Sequence, residues 1–105
     1  MLHVSFRRVR PERVDRTRAW FRELMRRQDE VRATFQNEGV RHEQAWLIET
    51  RSGPLLVYAV ELEDPERARQ AFERSDVAID KQHREVMLDV MLGPSEPEKL
   101  YDLHA

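Results

Sequence analysis

Few side chains in this 105-residue chain are placed by type and spacing to do chemistry, and His83 leads them. It precedes Val86 and Met87 by three and four residues, and Val90 and Met91 continue the row. On a helix those positions share one face, so the imidazole points inward among apolar neighbours. A ring in that setting titrates near neutral pH and suits a general base or a ligand contact. The alternative is a packed histidine whose ring nitrogens are bonded within the fold.

Trp20, Trp46 and Tyr58 are the aromatic candidates for the walls of a pocket around a small planar ligand, with a few polar anchors. Gln28 interrupts an apolar helical stripe and could reach the same cavity, or bond to a neighbouring backbone group. If these residues catalyse, the expected chemistry is proton transfer or cofactor-independent oxygenation, with His83 as base and the aromatics holding the ring. If they do not, the chain is a dimeric interaction or stress module without an enclosed site. The residues leave both readings open.

Other chemistries have little support. With no cysteine, disulfides and thiolate metal sites are excluded. The histidines at 3, 42, 83 and 104 form no pair at i,i+4 on a helix or i,i+2 on a strand, so no metal is expected. No nucleophile motif, phosphate loop or dinucleotide fingerprint is present, so no cofactor is expected. Arg18, Arg22 and Arg26 form a basic ridge, but the net charge is -2. The stretch from Pro54 lacks the aromatic motif of RNA-recognition strands, so the ridge reads as a solvated face and no nucleic acid is expected. The N-terminus lacks the apolar stretch of a signal peptide, and no run is long enough to span a membrane. A soluble, cytoplasmic protein is expected.

The elements that must position these residues follow from periodicity. Residues 2–10 begin as a strand. With Leu2, Val4 and Phe6 taken toward the helices, His3, Ser5 and Arg7 point the other way. Pro11 opens a helix expected over residues 11–37, with Val14, Thr17, Phe21, Leu24, Gln28, Val31 and Phe35 on its inner stripe. Gly39 suits a left-handed cap. Strands follow at about 40–50 and 54–62, joined as a hairpin by the turn at 51–54. Asp64-Pro65-Glu66 starts a helix over 65–74. Asp80 caps another over 81–92, ended by Gly93-Pro94. After a loop at 95–98, a short last strand is expected at 100–104.

This βαββαβ order is a ferredoxin-like α+β domain spanning residues 1–105. Its strands carry the main clue to assembly. Leu55-Leu56-Val57-Tyr58-Ala59-Val60 is apolar on both faces, and Ala45-Trp46-Leu47-Ile48 repeats the pattern. A sheet with one wet face should alternate instead. The helices suffice for one face, and a second copy of the chain is the simplest cover for the other. Rows carrying Trp, Tyr and His suit either that homodimer interface or a small-molecule site, and the interface is the preferred reading.

The fold order, together with Val-Arg-Pro-Glu-Arg-Val-Asp at 9–15, Asn-Glu-Gly-Val-Arg at 37–41, the span at 75–87 and Leu-Tyr-Asp-Leu at 100–103, is similar to a family of small microbial proteins that carries only a domain-of-unknown-function label. The fold order also resembles the dimeric α/β-barrel superfamily. That resemblance implies two sheets packed face to face with the helices outside. The superfamily includes quinol and haem-degrading monooxygenases, small isomerases and stress-responsive proteins, so the resemblance implies a fold rather than one activity.

Overall fold

Gly53 closes the central hairpin. Its φ of 116° is open to glycine and rare for L side chains, and it lets β2 (Val40–Thr50) turn back as β3 (Gly53–Leu62). The computed structural model describes residues 1–93 and 97–105. In it β3 is the middle strand of a three-stranded antiparallel sheet of order β1-β3-β2, with β1 (Leu2–Arg8) on its other side. Helices complete a mixed α+β architecture.

Pro11 opens a 3-10 turn (Pro11–Arg13) that runs into α1 (Val14–Arg26). The single helix expected over 11–37 is interrupted once. Arg27 leaves the helical region at φ -110° and ψ 38°, and its N–H is shared between the carbonyls of Glu23 and Leu24. The helix resumes as α2 (Gln28–Glu38), and Gly39 ends it in the expected left-handed conformation, φ 71°. Asp64 caps α3 (Pro65–Arg74) by accepting from the Glu66 and Arg67 N–H groups at 3.1 and 3.2 Å. The last helix, α4 (Ala78–Val90), begins before the expected start. Val77 precedes it, and Asp80 lies buried within the first turn instead of capping it.

The expected strand at 100–104 is not formed. Leu92 N–H bonds to the Arg8 carbonyl, and Val9 bridges Met91, so the chain leaving α4 starts to pair beside β1. Gly93, Pro94 and Pro97 then follow, and a proline has no N–H to continue a ladder. Pro94 and residues 95 and 96 of the loop expected at 95–98 lie outside the described residues. Residues 97–105 are exposed and carry no strand.

The register decides which face each strand residue occupies, because directly opposed partners share a face. One row is Ser5, Tyr58 and Ala45, and the next is Phe6, Val57 and Trp46. The even-numbered residues of β3 (Leu56, Tyr58, Val60, Leu62) meet the helices, and Leu56 is 2% exposed. This fixes β1 the opposite way from the expectation. His3, Ser5 and Arg7 take the helix side, while Leu2, Val4 and Phe6 lie on the bare face. A strand whose pairing is dictated by a buried neighbour cannot choose its own face, since a slip of one residue inverts it. Val9, Leu56, Val60, Leu62, Ile79, Val86 and Val90 form the buried apolar core.

Candidate functional site

Between the sheet and the helices, Trp20 and Phe21 from α1, Tyr58 from β3 and Phe72 from α3 converge on the imidazole of His83 from α4, and Met87, one turn further along α4, meets the Tyr58 hydroxyl. Trp20 donates its indole N–H to Nδ1 of His83 at 2.7 Å. Nε2 lies 3.1 Å from the Tyr58 hydroxyl. Phe21 and Phe72 set ring edges against the imidazole, at centroid separations of 6.0 and 5.7 Å.

An indole nitrogen only donates, so Nδ1 must be the accepting nitrogen and the neutral ring carries its proton on Nε2. That N–H donates to Tyr58 Oη, and the phenol hydrogen is directed at Met87 Sδ, 3.9 Å away. The chain of bonds therefore runs one way, from Trp20 through His83 and Tyr58 to Met87. Protonating Nδ1 would set two N–H groups against each other. Burial pushes the His83 pKa down to about 4, so the ring is neutral at physiological pH. Burial, reinforced by the nearby Glu43 and opposed by Arg7, raises Tyr58 above the usual phenol range.

These bonds bear on the general-base expectation for His83. Its lone pair is held by Trp20, so a substrate could use it only after that bond opens. Trp20 and Tyr58 are both hydrogen-bonded to His83. Trp46 does not, because it faces the opposite side of the sheet, paired with Val57 and 56% exposed. Gln28 does not either. It is exposed at the start of α2 and accepts from Arg32 at 2.9 Å. Interrupting the apolar stripe placed Gln28 at the bend between α1 and α2, where the inner face is lost.

A carboxyl cluster that periodicity had not marked adjoins the network. Glu38 ends α2, Glu43 faces the helices from β2, and Asp80 lies in the first turn of α4. Burial first, then Asp80 and Glu43, raise Glu38 to about 8. Glu43 sits on an exposed edge strand, but crowding by protein on its inner side raises it to about 7. Among the described residues no group of three or more His, Asp or Glu is arranged to hold a metal ion.

A separate cavity of about 410 Å³ opens between α1 and the β2–β3 hairpin. Phe21, Ala45, Leu47, Leu56 and Met25 give it an apolar lining, and Thr17, Arg18 and Arg22 supply its polar groups. Thr17 already donates its hydroxyl to the Arg13 carbonyl at 2.9 Å. Phe21 also packs on Tyr58 and His83, and so forms a wall between the cavity and the hydrogen-bonded network. His83 is not among the lining residues. Sequence reasoning missed this cavity because Arg22 reads as part of a solvated ridge, and Ala45 and Leu47 read as filled core.

No helix among the described residues is long and apolar enough to cross a membrane. No curated protein matches the chain. A family described as a family of unknown function, DUF6176, matches residues 2–105, and the chain belongs to that family.

Proposed function

We propose that the protein is a homodimer in which each copy holds a small, partly apolar molecule between its sheet and helices. The observation that carries this reading is the 410 Å³ cavity beside α1, which has an apolar floor and two guanidinium groups. Its volume lies at the small end of the ~300–1,000 Å³ range of ligand pockets, which suits a single-ring or short-chain molecule.

The homodimer rests on the bare face of the sheet. Leu2, Val4, Trp46 and Ile48 are 65, 47, 56 and 45% exposed there, around Phe6, Leu55, Val57 and Ala59. A contiguous apolar face of this kind is expected to be covered. Arg8 and Glu61 are charged residues at its two ends, about 20 Å apart along the strands. Neither has an ion-pair partner among the described residues. A two-fold axis lying across the strands would set each copy's arginine end over the other's glutamate end, so the face is complementary to itself. On this reading the β1-α-β2-β3-α order is a ferredoxin-like arrangement without its last strand, and two such sheets make a dimeric α/β barrel.

A catalytic form of this reading, with proton transfer or oxygenation at His83, requires Trp20 to release Nδ1. A non-catalytic dimeric module is favoured by one observation, that His83 does not line the cavity. Sedimentation velocity at micromolar concentration tests the assembly, and NMR screening of a fragment library tests the cavity. The expected results are a dimer, with ligand-induced shifts at Thr17, Phe21, Leu47 and Leu56. A monomer would overturn the assembly, and shifts confined to other surfaces would overturn the site.

A further inference from the structure

The geometry points to a monocarboxylate as the ligand of the α1–β2 cavity, with its apolar body on Phe21, Leu47 and Leu56 and its anionic head on Arg22. This inference rests on the binding reading above and adds the chemical class of the ligand. Arg18 and Arg22 are one helical turn apart on α1, and both border the cavity. Arg18 is already engaged, with Asp15 at 3.1 Å and Glu49 at 3.5 Å. Arg22 makes no ion pair or hydrogen bond among the described residues. It is the free cation of the cavity.

The other polar groups sharpen the choice. No carboxylate is among the lining residues, and the Thr17 hydroxyl is committed to the Arg13 carbonyl. A cationic ligand would therefore meet only like charge. A neutral polar ligand would find guanidinium donors but no ready acceptor for its own donors. A carboxylate satisfies the planar fork of Arg22 with two parallel N–H···O bonds, the geometry that distinguishes arginine from lysine. With one free guanidinium and an apolar floor, the match is to a single negative charge on an apolar body.

The test compares octanoate with octanamide, which has the same length and no charge, by calorimetry and NMR titration of the full chain. Octanoate is expected to bind with shifts at Phe21 and Leu47, and octanamide to bind at least tenfold more weakly. R22Q should weaken octanoate at least tenfold and leave octanamide unchanged, whereas R22K should recover part of the loss. Arg22 is exposed, so both variants should retain the wild-type circular dichroism spectrum. Equal binding of the two probes, or an R22Q variant that binds octanoate like the wild type, would overturn the carboxylate assignment and leave the cavity as a ligand site. If neither probe shifts a cavity residue, the carboxylate inference and the binding reading fall together.

Discussion

Trp20 and His83, 63 residues apart in sequence, are joined by an indole N–H donated at 2.7 Å to Nδ1 of the imidazole. Because indole cannot accept, this contact alone fixes the tautomer and the direction of the bonds that follow through Tyr58. Replacing Trp20 by Phe keeps most of the apolar bulk and deletes the donor. Nδ1 is then left without its partner, at a cost of about 1–3 kcal/mol. The freed lone pair should also titrate closer to the ordinary histidine range. Nitrogen-15 NMR of the wild type should report a neutral Nε2–H ring down to about pH 4, with W20F protonating at higher pH. An Nδ1–H tautomer in the wild type would contradict this account.

The pH dependence of stability follows from two opposed groups. His83 is lowered from 6.5 to about 4, so its contribution is present above pH 6.5 and is lost as pH falls toward 4. Glu38 is raised from 4.5 to about 8, so its contribution is present below pH 4.5 and is lost as pH rises toward 8. Between 4.5 and 6.5 the two trends oppose each other. Above 6.5 the histidine trend has ended and the carboxyl trend continues, with Glu43, raised to about 7, contributing in the same sense as Glu38. Thermal unfolding should therefore show a loss of about 1 kcal/mol between pH 6.5 and 8 once solvent screening is allowed for, since 1.5 pH units on one group amount to at most about 2 kcal/mol. E38Q should flatten that interval, and an equally steep fall in E38Q would assign the loss to other groups.

The fold and the site were legible to different degrees, for physical reasons. Local signals held at the Asp64 cap, the left-handed Gly39 and the Gly53 hairpin, and failed at Asp80, which lies buried inside the turn it was expected to cap. Facing was not local. Leu2, Val4 and Phe6 look like an inward row, but β1 takes its phase from pairing with β3, whose Leu56 and Val60 are buried. The approach of Trp20 to His83 joins two helices, and no periodicity within either one encodes it. Glu38 and Glu43 were invisible because a raised carboxyl reflects what surrounds it, and a glutamate in sequence looks solvated. The absent last strand shows composition overruling pattern, since Leu-Tyr-Asp-Leu alternates poorly and follows Pro94 and Pro97.

Asp64 offers a stability test independent of the site. Its carboxylate accepts from two otherwise unpaired N–H groups at the start of α3. D64A should cost about 1 kcal/mol, within the range of cap substitutions, and D64N should keep most of it. Urea unfolding of both variants measures this, and equal losses would show that the charge rather than the cap geometry matters.

The assembly is tested most directly at Trp46, which lies on the bare face in the row of Phe6 and Val57 and contributes nothing to the helix-side core. Glutamate at this position would place an unpaired charge within the proposed interface. An aromatic anchor truncated there costs about 2–4 kcal/mol, so W46E should weaken the dimer roughly 30- to 1,000-fold. Its circular dichroism should be unchanged, because the residue is not part of the fold's own packing. The ends of the face test the orientation of the two copies. R8E alone places like charges together and should weaken association a few-fold, as expected of a solvent-exposed pair. R8E/E61R restores the opposition with its sign reversed and should recover the wild-type constant. If the double variant is as weak as the sum of the single ones, the two-fold axis does not lie across the strands.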